Sequence, residues 1–227
     1  MGLKYSTGMK RQQRFRLCPE ANPKRFQIGA INRFSGFSFI ELLIVVAIIA
    51  VLSALYWGGI AGHGGQSKLA TCQQNLQKLY LSLQIYANDH ANTFPQVPGA
   101  TSSEQALAPL VPKYTADTSL FICPGVDDSV PSSSDPLSKQ HINYAYYMGR
   151  SGADAQTVLM SDAQVNALSK SPGQPIFSTT GKPPGNNHKK AGGNFLFCDG
   201  HADSALSGAA FSLVLTQGVV LLNPSPK

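Results

Sequence analysis

The sequence predicts an α+β fold: a long N-terminal helix, transmembrane in its first half and amphipathic in its second, packed on a small, loop-rich antiparallel β-sheet. A predominantly apolar run covers residues 37–57. From Gln66 to His90, apolar side chains recur every three or four positions, which is the period of a helix with one buried face. Short β-prone segments follow, separated by Pro-, Ser- and Asp-rich stretches at residues 124–140 and 169–187 that are typical of surface loops.

The basic charge of the chain is confined to its N-terminus. Residues 1–36 contain eight Lys or Arg and a single Glu, for a net charge of +7, whereas residues 37–227 contain 10 basic and 11 acidic groups. A protein that binds nucleic acid would carry its basic residues on the folded domain. The charge distribution therefore argues against a nucleic-acid partner and marks residues 1–36 as a basic leader.

The apolar run has the length of a membrane span. Its 21 residues contain one charged side chain, Glu41, and two serines. At about 1.5 Å per residue they form a helix of roughly 30 Å, which matches the hydrocarbon core of a bilayer. Because basic flanks stay in the cytoplasm, the pattern predicts a single-pass protein of the inner membrane with a cytoplasmic N-terminus and an extracytoplasmic domain after residue 57.

Three mechanisms use such a segment. A signal peptide would be cut after it, at the small residues Gly59 and Ala61, and would release a secreted enzyme that starts near Gly62. An uncut anchor would hold an extracytoplasmic binding or metal-binding domain that does not polymerise. The third mechanism depends on Glu41, which lies four residues into the apolar run. An ionised side chain in a membrane helix costs up to about 2.5–3.5 kcal/mol and so needs a partner.

A cut after Gly36 would supply that partner. The cut creates an α-amino group on Phe37, and this cation could neutralise the Glu41 carboxylate of a neighbouring subunit. A secreted enzyme or a plain anchor needs neither Gly36 nor Glu41 at these positions. The two residues therefore favour the third mechanism.

Gly36, Phe37 and Glu41, preceded by a basic stretch and followed by the apolar run, resemble the N-terminus of type IV prepilins and type II secretion pseudopilins. The resemblance implies that a membrane-embedded prepilin peptidase cuts after Gly36, removes the leader and methylates the amino group of Phe37. It also implies that the chain assembles with other pseudopilin subunits into a secretion pseudopilus or pilus-like filament, with Glu41 acting in assembly. The leader starts at Met1, or at Met9 if translation begins there.

Scattered motifs over most of residues 33–203, many of them in the predicted extracytoplasmic domain at residues 66–227, resemble a group of proteins that are similar to the major pseudopilin at the N-terminus and carry an Asp-Gly pair near the C-terminus. The shared motifs are Cys72-x-x-Asn75-Leu76, Tyr86-Ala87-x-Asp89, Phe94-Pro95, Cys123-Pro124 and Asp199-Gly200. The resemblance implies the α+β outline that the periodicity also predicts, and a structural rather than an enzymatic role. Before this domain, a glycine cluster at residues 58–65 predicts a bend, because each glycine costs about 1 kcal/mol in a helix interior.

Six segments are predicted strands because they are rich in apolar, β-branched or aromatic residues. They are Ser119–Cys123, Ile142–Met148, Thr157–Ser161, Asn194–Cys198, Phe211–Leu215 and Val219–Leu222. The fourth continues into a predicted hairpin over Asn194–Ala205, with a two-residue turn at Asp199-Gly200 that would place Cys198 opposite His201. Alternation along the first strand of this hairpin separates its two phenylalanines from its leucine and cysteine.

Three cysteines lie outside the leader, and a disulfide is the default for cysteines outside the cytoplasm. Cys72 lies on the apolar face of the amphipathic helix, and Cys123 ends a predicted strand that this face should cover. We therefore predict a Cys72–Cys123 disulfide, which needs Cα atoms within about 7 Å of each other. Cys198 lies in another strand and is the competing partner for either cysteine.

The sequence contains no Gly-x-Ser-x-Gly, His-Glu-x-x-His, P-loop or dinucleotide-binding pattern. The richest polar cluster is Asp199, His201 and Asp203 with His188 upstream, which offers imidazole and carboxylate ligands for zinc or calcium. The major pseudopilins bind calcium near the C-terminus, so the resemblance also allows calcium here. Because Asp199 belongs to the turn while His201 and Asp203 share a strand face, we favour a structural turn and predict no cofactor and no enzymatic activity.

Overall fold

The computed structural model describes residues 38–60 and 64–226, with the side chains of residues 38–54 and 65–226. The chain divides after Ile49 into two units. In the described ranges the elements are α1 (Phe39–Ile60), α2 (Gly64–Asp89), α3 (Ser103–Leu107), β1 (Tyr144–Met148), β2 (Val158–Asp162), β3 (Gly193–Phe197), β4 (Ala202–Ala205) and β5 (Val220–Leu222), with short 3-10 helices between them. The architecture is α+β, as predicted.

Helix α1 begins immediately after Ser38. The carbonyl oxygen of Ser38 accepts hydrogen bonds from the backbone N–H groups of Glu41 at 2.9 Å and Leu42 at 3.1 Å, which closes the first turn. The large apolar side chains from Phe39 to Leu52 are all at least 42% exposed and leave no polar stripe on the helix. Among the residues whose side chains the structure describes, 38–54 and 65–226, no helix is both long and apolar enough to cross a membrane.

The leader and part of the glycine cluster, at residues 61–63, lie outside the described residues. The two ends of the glycine cluster lie within α1 and α2. The division into a leader at residues 1–36, a membrane segment at residues 37–57 and a bend at residues 58–65 therefore stays a prediction.

Helix α2 carries the predicted apolar stripe. Its fully buried apolar side chains recur at spacings of three and four residues and are Cys72, Leu76, Leu79, Leu83 and Ala87. The Gln and Lys residues between them are exposed or half-buried. The stripe packs on β3, on β4 and on the 3-10 helix at Thr118–Phe121.

The five strands form one antiparallel sheet in the order β4-β3-β2-β1-β5. Alternation along the strands gives this sheet two buried faces. Tyr146 and Leu196 belong to the core on the α2 side, whereas Tyr147 and Phe195 belong to the core on the opposite side. The second core is completed from the loops by Ile176, Phe177, Ala209 and Leu213. The predicted separation of the β3 phenylalanines from its leucine and the following cysteine is confirmed.

The prediction of a strand at Ser119–Cys123 was wrong, because Thr118–Phe121 form a 3-10 helix. The Asp117 side chain accepts a hydrogen bond from the N–H of Ser119 at 3.1 Å. A side-chain bond of this kind stabilises a local turn in competition with a strand ladder. Composition alone suggests a strand, and the residue that prevents it lies just before the segment.

The predicted strand Phe211–Leu215 was also wrong. Of its residues, only Leu213 forms a bridge, and its partner is Lys170. The predictions over Ile142–Met148, Thr157–Ser161, Asn194–Cys198 and Val219–Leu222 correspond to β1, β2, β3 and β5, with small shifts at their ends. A strand needs a partner along its whole length, and the loop that meets Leu213 provides one at a single position.

The predicted hairpin forms, but its register differs by one residue from the prediction. The N–H of Phe197 donates to the carbonyl oxygen of His201 at 3.0 Å, so Phe197 rather than Cys198 lies opposite His201. The loop therefore has three residues, and among them only Gly200 has a positive φ, +90°. A two-residue turn of the Asp-Gly type requires positive φ at both central residues, and Asp199 does not adopt it.

Candidate functional site

The predicted assembly residue, Glu41, lies exposed in the first turn of α1. A carboxylate at this position interacts favourably with the partial positive charge of the helix N-terminus. Gly36 and Phe37, the predicted cleavage and methylation residues, lie outside the described residues. Their roles stay predictions, and the structure contributes the position of Glu41 at the start of the helix that follows them.

The structure brings Cys72 and Cys123 together on the α2 side of the sheet. Their Sγ atoms lie 2.11 Å apart and their Cα atoms 5.1 Å apart, which is the geometry of a disulfide. Cys72 reaches this position from the buried stripe of α2, as predicted, whereas Cys123 follows a 3-10 helix rather than a strand. Cys198, the predicted competitor, is a buried free cysteine whose Sγ lies 3.5 Å from Thr157 Oγ1.

Two more buried side chains complete a cluster around this pair. Asp162 is the last residue of β2, and His188 directly precedes the 3-10 helix at residues 189–191. The Nε2 atom of His188 lies 3.2 Å from Cys123 Sγ and 3.6 Å from Asp162 Oδ2. Each of the four side chains contributes one possible ligand atom, and these atoms all lie within 4.8 Å of one another. We call Cys72, Cys123, Asp162 and His188 the buried cluster.

Asparagine side chains hold the Asp162 carboxylate in place. Asn187 Nδ2 donates to Oδ1 at 2.8 Å. Asn194 donates to Oδ2 twice, from its backbone N–H at 2.7 Å and from Nδ2 at 3.1 Å. Asn194 Nδ2 also donates to the Leu69 carbonyl oxygen at 3.0 Å, which connects β3 to α2. Both carboxylate oxygens are therefore fixed by groups from outside their own strand.

Burial changes the titration of both ionisable members of the cluster. It raises the pKa of Asp162 to about 7, against the hydrogen bonds from Asn187 and Asn194, which lower it. It lowers the pKa of His188 to about 4, and the charge of Lys68 lowers it further. His188 is therefore neutral at pH 7 and keeps a lone pair on one ring nitrogen. The buried cluster combines sulfur, nitrogen and oxygen atoms of the kinds that bind zinc in proteins.

The predicted metal candidates near the hairpin are not brought together. His188 precedes β3 and Asp199 follows it, so the extended strand separates them by roughly 15 Å. Asp199 Oδ1 lies 2.6 Å from His201 Nδ1 in a pair at the surface. Asp203 lies further along, on β4, opposite Phe195. Of the four candidates, the structure assigns His188 to the buried cluster; the prediction that no cofactor binds, and the calcium that the resemblance allows at the other three, are not tested.

Asp162 was not among the site residues predicted from the sequence. The available signal was its position directly after the predicted strand Thr157–Ser161, where a carboxylate ends an otherwise apolar segment. That signal does not identify the partners, because Cys72, Cys123 and His188 come from other elements and distant positions in the chain. The fold is what places them around the carboxylate.

Comparison with known families identifies the N-terminal segment. Residues 31–56 match the family model of the prokaryotic N-terminal methylation motif. The matched segment includes Gly36, Phe37 and Glu41 and covers a small part of the 227 residues. The chain therefore carries the N-terminal motif of type IV prepilin-like and pseudopilin-like proteins, a motif that implies processing by prepilin peptidase. No curated protein and no solved structure matches the chain.

Proposed function

We propose that the chain is a prepilin-like structural subunit that is stored in the inner membrane and assembled into a secretion pseudopilus or pilus-like filament. In this proposal prepilin peptidase cuts after Gly36 and methylates the amino group of Phe37. The observation that carries the proposal is the match of residues 31–56 to the N-terminal methylation motif. Proteins with this motif are usually structural and membrane-anchored, and their partners are other pilin-type subunits.

The position of Glu41 supports an assembly role. Its side chain lies in the first turn of α1, four residues after Phe37. In a membrane helix an ionised carboxylate is costly, and a cationic partner reduces this cost. The new amino group of Phe37 on a neighbouring subunit is such a partner, and the interaction would set the register between the two N-terminal helices.

The surface of α1 supports helix packing between subunits. The large apolar side chains from Phe39 to Leu52 are at least 42% exposed all around the helix. Apolar surface of this extent is stabilised when lipid or other apolar helices cover it. In the proposed cycle, lipid covers it during storage and the N-terminal helices of neighbouring subunits cover it in the filament.

The cysteine geometry supports an extracytoplasmic position for the C-terminal domain. Cys72 and Cys123 lie at disulfide-bonding distance. Disulfides form and persist outside the cytoplasm and are rare within it. A domain placed outside by the basic leader would meet oxidising conditions in which this bond forms.

The test is the intact mass and the N-terminal peptide of the full chain after expression with an active prepilin peptidase and extraction into detergent. The proposal expects a chain that starts at N-methylated Phe37. A membrane form that retains residues 1–36 would contradict it, and so would a released chain that starts near Gly62.

A further inference from the structure

The buried cluster contains a carboxylate and an imidazole, which a disulfide does not require. A disulfide is weakly polar and needs no charged neighbours. Here a fully buried carboxylate and a buried imidazole lie next to it, and burying such groups costs free energy unless they have partners. Asn187 and Asn194 provide those partners for Asp162. The Asp162 carboxylate is thereby held with its Oδ2 atom 3.6 Å from His188 Nε2, next to the two sulfur atoms.

Two of the distances within the cluster are close to the edges of a tetrahedral zinc site, and all of its ligand atoms lie within 4.8 Å of one another. With zinc–sulfur bonds of about 2.3 Å and zinc–nitrogen or zinc–oxygen bonds of about 2.0–2.2 Å, ligand atoms at tetrahedral angles lie about 3.3–3.8 Å apart. His188 Nε2 is 3.2 Å from Cys123 Sγ and 3.6 Å from Asp162 Oδ2, which is close to these values. The edge between the sulfurs measures 2.11 Å because the structure bonds them to each other, and it would have to lengthen for both sulfurs to bind one zinc ion.

We propose that Cys72, Cys123, Asp162 and His188 bind one zinc ion when the two cysteines are thiols, so that the metal and the disulfide are alternative states of the same buried cluster. The two thiolates, the imidazole Nε2 and one carboxylate oxygen complete a four-coordinate set of the kind that zinc prefers. The hydrogen bonds from Asn187 and Asn194 orient the carboxylate, as outer partners commonly do in metal sites.

The two states differ in their chemistry. When zinc binds, the two thiols release two protons to solvent, a protonated Asp162 carboxyl releases its proton as well, and no electron is transferred. When the disulfide forms, the two thiols lose two protons and two electrons to an oxidant such as another disulfide, which is reduced to two thiols. Since both states use the same sulfur atoms, bound zinc protects the thiols from oxidation, and the disulfide prevents zinc from binding. This inference does not depend on the proposed filament function.

The test uses the full chain in detergent and Co²⁺ as a spectroscopic substitute for zinc. Because all four side chains are buried, the chain is reduced with a phosphine in denaturant and then returned to native buffer with Co²⁺. The expected result is one Co²⁺ per chain, with the thiolate charge-transfer and visible bands of a tetrahedral cobalt site, and displacement of the cobalt by Zn²⁺. The chain refolded with its disulfide intact should show none of these bands.

Variants separate the buried cluster from other ligands. His188→Ala and Asp162→Asn should weaken Co²⁺ binding at least tenfold and change the visible bands. Cys198→Ser and His201→Ala remove a buried cysteine and a surface histidine outside the cluster, and both should leave the bands unchanged. If Cys198→Ser or His201→Ala abolished the signal while His188→Ala kept it, the proposed ligand set would be overturned.

A second measurement decides the question even if a variant fails to fold. In the reduced wild-type chain, alkylation followed by peptide mapping reports the state of each cysteine. Zn²⁺ should protect Cys72 and Cys123 from alkylation and from reoxidation and should leave the reactivity of Cys198 unchanged. The proposal is overturned if the reduced wild-type chain binds no Co²⁺, or binds it as well as the Cys72→Ser/Cys123→Ser double variant does.

Discussion

Helices α1 and α2 are similar in length, 22 and 26 residues, but they distribute their apolar residues differently. In α1 apolar side chains surround the helix, and those from Phe39 to Leu52 are exposed. In α2 they form one stripe, from Cys72 to Ala87, and this stripe is completely buried against the sheet. The pattern of apolar residues therefore separates a helix whose apolar side chains are exposed all around it from a helix whose apolar stripe is covered by the sheet.

The comparison also shows where functional information lies in each helix. For α1 and the segment before it, the proposed function places this information in the order of residues along the chain, because prepilin peptidase would cut after Gly36 and Glu41 would lie at a fixed distance from that cut. In α2 the functional information lies in which side chains share the buried face of the helix, because Cys72 contributes to the buried cluster only when this face packs on β3. The following four changes test this distinction.

Gly36→Leu should have the largest effect, since it should abolish maturation altogether. Glycine leaves the backbone on one side of the proposed cleavage site unhindered, and a leucine side chain would obstruct the peptidase. Intact mass of the membrane fraction should show the chain with its leader retained, and no species that starts at Phe37.

Ala61→Leu is the matched control for this change. It removes one of the small residues that a signal peptidase would require. Under the prepilin mechanism its maturation should equal that of the wild type. Normal processing of Gly36→Leu combined with failure of Ala61→Leu would show that the N-terminal segment is a signal peptide.

Leu83→Ala should destabilise the C-terminal domain by about 2–5 kcal/mol, because it removes a fully buried side chain and leaves a cavity. Leu81 on the same helix is 63% exposed, and Leu81→Ala should change the free energy of unfolding by less than about 0.5 kcal/mol. Denaturant unfolding of both variants measures the difference. Equal effects at the two positions would mean that the α2 stripe is not what holds the helix to the sheet.

Gly200→Val should destabilise the domain by about 2–4 kcal/mol, since a β-branched residue is strained at φ +90° and must also fit beside α2. A Cβ atom at this position would lie 2.4 Å from the ring of Tyr80, whose hydroxyl donates to the Cys198 carbonyl oxygen at 3.0 Å. Gly173 has a similar φ, +85°, but a Cβ atom there would have open space within 4 Å. Gly173→Val should therefore show the cost of backbone strain alone, about 1–2 kcal/mol.

Thermal unfolding of the two glycine variants separates backbone strain from contact with Tyr80. If Gly173→Val cost as much as Gly200→Val, the hairpin turn would not be packed on α2 as the structure describes.

Glu41→Ala should lower the fraction of chain found in assemblies about tenfold, equivalent to about 1.4 kcal/mol of lost pairing with the Phe37 amino group. Membrane insertion should be unchanged or improved, because a charge is removed from an apolar segment. The measurement is the ratio of sheared or cross-linked assemblies to membrane-extracted subunit. Ser53→Ala is the control, since the Ser53 hydroxyl only donates to the Ala50 carbonyl oxygen of its own helix. Normal assembly of Glu41→Ala would show that this carboxylate has no assembly role.

Much of the fold was predictable because its signals are local. The α2 stripe follows from spacings of three and four residues, and four strands follow from their composition. The turn at Gly200 follows from an Asp-Gly pair between two β-prone segments. The errors were also local in origin: Asp117 converts the segment after it into a 3-10 helix, and one residue of difference in the hairpin loop changes the partner of His201 from Cys198 to Phe197.

The sequence by itself determined the methylation motif at residues 31–56, because a peptidase recognises residues in their order along the chain. It also indicated the pairing of Cys72 with Cys123, since each lay on an element expected to face the other. Only the tertiary structure decided that Asp162 and His188 join them, because His188 is 65 residues from Cys123 and no periodicity extends over such a distance. Their meeting depends on the path of the loops and on the sheet register, which arise from packing of the whole domain.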